Sequence, residues 1–367
     1  MNENKINCLE GIRAIACIGV LLSHFRGAFL PGRYMPFIDN TPLRIMTAGN
    51  PMVRIMFVVS GFVISYKYFK NKQYDTVLID VTKRWVRLFP AIFLSIMMVC
   101  LMMKCGLLFN QEAAELTGSQ DFLGSFNQFI PNFFEAAKEG LFTTYLYGSS
   151  AYIGPLWTMV YEFMGTILIL SAIAVFRGHY TRFLFYFISL LFFSSYFNYL
   201  IIGMLICDIY FNSGFVSKLK QNQILNHILL ISSAIVLGII NIDDTSKFFR
   251  IVYGITLIIF FVTLLYSQYS EIVLGNKFMC KVGNLSFAIY IVHWPIIESF
   301  SSFYHIKMIK ILGNYTAVVI SNLLLTLVIT IFISYLLTRY IVPLGLFSNE
   351  FWKKQLLNDK DMDEKMN

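Results

Sequence analysis

Charge is what this sequence of 367 residues has least of: Asp, Glu, Lys and Arg together make up 14% of it, against about 25% in an ordinary soluble domain. With 57% hydrophobic residues and a mean hydropathy of +0.65, most of its surface must face something other than water. The stretches between apolar runs leave no room for a domain that folds outside a membrane. The six cysteines (Cys8, Cys17, Cys100, Cys105, Cys207, Cys280) lie in or beside apolar runs and form no CxxC pair, so neither zinc nor a disulfide framework is expected. The formal net charge of +8 comes from basic residues in short loops. Membrane topology accounts for them, and nucleic acid is not an expected partner. No internal repeat is visible, which argues against a transporter built from duplicated halves. The first apolar run lacks a small-residue cleavage site and is expected to stay as a first helix.

Aromatic residues are plentiful, with 36 Phe and 21 Tyr, as suits helices that meet lipid along their length and interfaces at their ends. The apolar runs predict helices near 6–28, 44–66, 87–108, 154–176, 182–196, 197–212, 224–241, 250–267, 283–303 and 313–338. The expected fold is therefore an all-α polytopic membrane protein of about ten transmembrane helices. Residues 1–340 form the membrane domain and 341–367 a short polar tail. The loop after the second run carries Lys67, Lys70, Lys72, Lys83, Arg84 and Arg87, which marks it as cytoplasmic. Lys218 and Lys220 mark a later loop on the same side. The long loop at 109–153 holds Glu112, Glu115, Asp121, Glu135 and Glu139 against Lys138 alone, which places it outside. Both termini are then cytoplasmic, and Lys353, Lys354 and Lys360 in the tail agree.

An ionisable side chain at the centre of a bilayer costs about 2.5–3.5 kcal/mol on insertion scales, so each needs a reason. Arg13 and His24 are eleven residues apart on the first helix, hence on one face and roughly 16 Å apart along its axis. An Arg snorkelling to the inner interface and a His bonded to a backbone carbonyl would explain them as well as a site does. Arg84 and Arg87 share a face three residues apart and suit phosphate, although positive-inside bias also produces such pairs. Glu162 lies about two turns into the fourth helix and needs a cation, a donor or a proton, with Arg54 and Arg13 as candidates for an ion pair. His293 falls near mid-membrane before Pro295, whose kink frees backbone groups for a polar neighbour.

Together these residues resemble the acyltransferase-3 family of membrane acyltransferases. Leu9-Glu10-Gly11-Ile12-Arg13-Ala14-Ile15-Ala16 is similar to that family's Leu-Asp-Gly-Leu-Arg-Ala-Ile-Ala opening, and Arg13 with His24 reproduces its Arg-x10-His motif. Phe57-Val58-Val59-Ser60-Gly61-Phe62, Arg84-x-x-Arg87 before Pro90, Pro155-Leu156-Trp157-Thr158 with Glu162, and Leu285-Ser286 to His293-Trp294-Pro295 follow in the family's order. Glu10 and Arg54 stand where Asp is usual.

The resemblance implies an O-acyltransferase that uses cytoplasmic acyl-CoA, most often acetyl-CoA, and a hydroxyl on an exported or lipid-linked glycan; the short loops and single-domain size make a bacterial inner membrane the expected location. It implies that His24 is essential for transfer. Arg13, Arg84 and Arg87 are then the candidates to hold the CoA phosphates. His24 becomes the general base or the covalent acyl carrier, and Glu162 its orienting acid. Arg54, Trp157 and His293 are further candidates for lining the site. Tyr145, Tyr147 and Tyr152 in the long loop suit either a sugar-binding face or an interfacial belt. The rival reading is an exporter of an acylated glycan or small molecule, since embedded Arg, His and Glu also serve transport pathways.

Overall fold

The computed structural model describes residues 6–72, 77–192, 196–213, 221–240 and 247–344, and every regular element among them is helical. The longer helices are α1 (Asn7–Phe29), α2 (Gly49–Asn71), α3 (Val77–Lys104), α4 (Met159–Phe176), α5 (Arg182–Phe192) and α6 (Phe197–Asn212). They continue with α7 (Gln223–Ile239), α8 (Lys247–Tyr266), α9 (Lys277–Ile296), α10 (Ser302–Leu312) and α11 (Tyr315–Tyr340).

Seven stretches among the described residues are long and apolar enough to cross a membrane: Asn7–Phe29, Gly49–Asn71, Lys83–Lys104, Gly154–Phe176, Phe248–Tyr266, Lys277–Leu312 and Tyr315–Leu344. The chain is an integral membrane protein. The other three expected spans correspond to α5, α6 and α7, of 11, 16 and 17 residues. At 1.5 Å per residue the described parts reach at least about 16, 24 and 26 Å, against a hydrocarbon layer of roughly 30 Å. Residues 193–195, which the sequence places at the end of one expected span, lie outside the described residues. So do Lys218, Lys220 and most of the expected tail, from 345 onward.

Close helix packing here depends on missing side chains. Gly61 of α2 lies against the backbone carbonyl of Leu200 on α6, and Gly283 of α9 against that of Glu10 on α1, where a Cβ atom would overlap. Apolar side chains gain little from meeting each other rather than lipid, so such small-residue contacts are what draw membrane helices together. The second contact is the one that builds the site, because it sets α9 beside α1 running in the same direction. The start of α1 has no cap of its own. Glu271 supplies one from across the fold, accepting from the Cys8 backbone N–H at 3.3 Å and from Asn7 Nδ2 at 3.0 Å.

Past Pro295, α9 widens into a π-helical turn, Ile297–Ser301. The Pro295 carbonyl accepts from Ser299 Oγ at 2.6 Å, and the Ser301 carbonyl from Asn322 Nδ2 of α11 at 3.1 Å. Both bonds satisfy carbonyls around the widened turn itself, whereas the proline's missing N–H frees the carbonyl four residues earlier, at Ile291. The segment between α3 and α4 folds over one end of the bundle as short helical pieces. Thr117 and Ser119 donate to the carbonyls of Ala28 and Gly27 at 2.9 and 2.8 Å, so this segment closes the end of α1. Tyr145 and Tyr152 turn into its interior, 1% and 2% exposed. Neither is placed for a sugar face or a belt; Tyr147 alone is turned outward.

Candidate active site

Two of the embedded polar residues meet at the closed end of α1. His24 Nδ1 lies 2.8 Å from His293 Nε2, with the two rings stacked 5.1 Å apart at 11°. His293 Nδ1 in turn lies 3.0 Å from the Ile289 carbonyl. A carbonyl only accepts, so Nδ1 of His293 carries the proton and Nε2 of the neutral ring is an acceptor. His24 must then donate from its own Nδ1, and its Nε2 keeps a bare lone pair with no partner among the described residues. The hydrogen-bond network thus assigns both tautomers. His293 is fully buried, whereas His24 stays partly accessible. Trp294 meets the His24 ring edge-on at 5.1 Å and Phe122 lies 6.1 Å from it, which limits the imidazole's freedom to turn.

The other expected residues gather toward the opposite end of α1. Arg13, Arg84, Arg87 and Glu162 line a cavity of about 160 Å³ with Ser60, Asn284 and Thr338. Glu162 is ion-paired to Arg84 and accepts from Ser60 Oγ at 3.0 Å. Arg13 is 3.4 Å from Glu10, and Arg87 makes no ion pair among the described residues. Arg84 Nε is buried without an acceptor. Three guanidiniums against one lining carboxylate make this mouth suited to phosphate oxygens. A second cavity of about 70 Å³ shares Arg13, Ser60 and Glu162 and extends to Thr158 and Tyr290. The Tyr290 ring is 5.8 Å from that of His293. The cleft therefore runs from the cationic mouth to within one side chain of the histidine pair.

A family model described as an acyltransferase domain matches residues 6–339. The chain belongs to the acyltransferase-3 family. No curated protein and no solved structure matches it. As a member of that family this is a membrane O-acyltransferase, and the geometry can be read against acyl transfer. No group of three or more His, Cys, Asp or Glu able to hold a metal lies among the described residues.

One expected partnership changes. Glu162 is not hydrogen-bonded to His24, and its ion pair is with Arg84 rather than Arg13 or Arg54. Glu162 lies near the start of α4, where the chain brings it level with α3's arginines and not with the far end of α1. The group that orients His24 is His293, which sequence reasoning had only as a possible lining residue. Arg54 and Trp157 join neither group: both pack on Tyr196, at 5.7 and 5.0 Å. Ser60, Tyr290 and Phe122 are site residues that no embedded charge announced. Tyr290 stands three residues before His293, on the same helix face, and that spacing was the available signal.

Proposed function

We propose that this membrane acyltransferase moves an acetyl group from cytoplasmic acetyl-CoA to a hydroxyl of an exported or lipid-linked glycan in a bacterial inner membrane. In this reading both termini are cytoplasmic and the shorter apolar helices complete a set of about ten crossings. The observation that carries it is the bare Nε2 of His24, held in its tautomer by His293, one side chain beyond the inner end of a cleft whose mouth holds three arginines.

Arg13, Arg84 and Arg87 would bind the CoA phosphates from the side rich in Lys and Arg, and the pantetheine arm would follow the cleft past Ser60 toward Tyr290. His24 Nε2 removes the proton of the acceptor hydroxyl as its oxygen attacks the thioester carbon. The C–S bond breaks, and the imidazolium returns the proton to the departing thiolate. His293 supports the charged imidazole through its Nε2 lone pair, the part that Asp plays in a serine-hydrolase triad. The acid-to-His24 contact of such a triad has no counterpart through Glu162, which instead restrains Arg84.

The test is transfer of label from radiolabelled acetyl-CoA, supplied to the face bearing Arg84, into surface glycan or lipid-linked sugar in reconstituted vesicles. Wild type should transfer and inserted His24→Ala protein should not. Absence of donor use by wild type across a panel of acceptors would return weight to an exporter.

A further inference from the structure

We propose that Arg54 anchors a binding site for an anionic group, a carboxylate or phosphate, on the acyl acceptor. This rests on the acyl-transfer reading and names the class of acceptor.

Among the arginines of α1 to α5, Arg13, Arg26, Arg84 and Arg182 are each paired with a carboxylate: Glu10, Asp39, Glu162 and Asp208. Arg87 lines the cleft already assigned to the donor. Arg54 has no ion pair among the described residues, and its Nε and Nη1 are buried without a hydrogen-bond acceptor. Its Cζ instead lies 5.6, 5.7 and 5.9 Å from the ring centroids of Tyr199, Tyr196 and Tyr253. Three ring faces offset part of the cost of a guanidinium within an apolar bundle but leave its charge uncompensated.

The surroundings are built for more than charge. Trp157 and Tyr161 continue the wall from Tyr196, at 5.0 and 5.2 Å between centroids. Arg54, Trp157, Tyr161, Tyr196 and Tyr199 all remain partly accessible. Flat aromatic faces beside a planar cation suit a sugar ring carrying, or linked to, an anion. Position separates this place from the donor's phosphates. Arg54 lines neither cavity of the cleft, yet its neighbours Val53 and Phe57, and Thr158 next to Trp157, line the cavity that leads toward His293. An acceptor held by its anion at Arg54 would have its hydroxyls near the reacting end.

The experiment uses full-length protein in nanodiscs of neutral lipid, with no acyl donor present. Binding is read by tryptophan fluorescence and by thermal stabilisation. The probes are methyl β-D-glucuronide against methyl β-D-glucoside, and geranylgeranyl phosphate against geranylgeraniol. The charged member of at least one pair should bind about tenfold or more tightly than its neutral partner, the size of one charge-assisted bond. Arg54→Gln should lose that preference and Arg54→Lys should keep part of it. Preference within the first pair identifies an acidic sugar, and within the second a lipid-linked phosphate. Equal binding within both pairs, or an undiminished preference in Arg54→Gln, overturns the proposal. Where Arg54→Gln does not fold, equal binding by wild type still overturns the proposal, and a preference that survives saturation of the mouth arginines with CoA supports it. Anion binding without acyl transfer would count against the transfer reading alone, and transfer without charge preference against Arg54 alone.

Discussion

Replacing His293 by alanine removes the acceptor that holds His24 in its Nδ1–H tautomer, and the cost can be worked from the geometry. The lost bond is 2.8 Å long and its acceptor side is wholly buried. His293 accepts from the charged imidazole more strongly than from the neutral one by about 1–1.5 kcal/mol, and at about 1.36 kcal/mol per tenfold the expected fall in kcat is roughly 5- to 13-fold. KM for the donor should stay nearly constant, because the phosphate-binding arginines lie at the other end of α1. The assay is steady-state transfer from labelled acetyl-CoA by reconstituted protein, with the melting temperature monitored so that a folding defect is not mistaken for a catalytic one. His293→Gln, whose carboxamide oxygen can still accept, should retain more activity than His293→Ala. Adding His293→Ala to His24→Ala should cost nothing further, since residues acting as a unit are not additive. Two outcomes would refute the reasoning: a stable His293→Ala protein with wild-type kcat, or a double variant well below His24→Ala alone.

The ion pair at the mouth gives a complementary expectation. Arg84→Gln should raise KM for acetyl-CoA about tenfold or more through a lost charge-assisted contact, while Glu162→Gln should leave the pH dependence of kcat unchanged; a shifted profile would restore Glu162 to the proton chemistry. The Arg26 guanidinium holds the Asp39 carboxyl below its ordinary value of 3.8. A depressed carboxylate stabilises above its unfolded pKa and loses that contribution as pH falls through the folded one. Limited proteolysis of the 30–47 segment should therefore be slow and constant from neutral pH down to about 5 and accelerate only below about 4, whereas Asp39→Asn should cut fast throughout. Packing predicts that Gly61→Ala, forced against the Leu200 carbonyl, destabilises by about 1–3 kcal/mol in a detergent melt. Gly254→Ala meets nothing nearer than Ile202 at 3.5 Å and should be neutral; equal losses at both positions would contradict the packing account.

Residue order alone shows that this chain lives in a membrane, roughly where its long helices lie, and which side chains are anomalous there. All of that follows from local chemistry, since an apolar run of some twenty residues and an Arg or His within it are legible without knowing any neighbour. It marks α5, α6 and α7 as apolar as well, but composition alone does not say how many residues of such a run wind into helix, and the described parts of these three are shorter than the other seven. Partnership was beyond it. His24 and His293 are 269 residues apart, and helical periodicity says which face a side chain occupies but not which helix stands opposite. That was decided by Gly283 letting α9 approach Glu10 on α1, which brings the two histidines level. The same tertiary register placed Glu162 against Arg84 and left Arg54 among tyrosines. A lone embedded charge announces a need, and only packing determines what meets it.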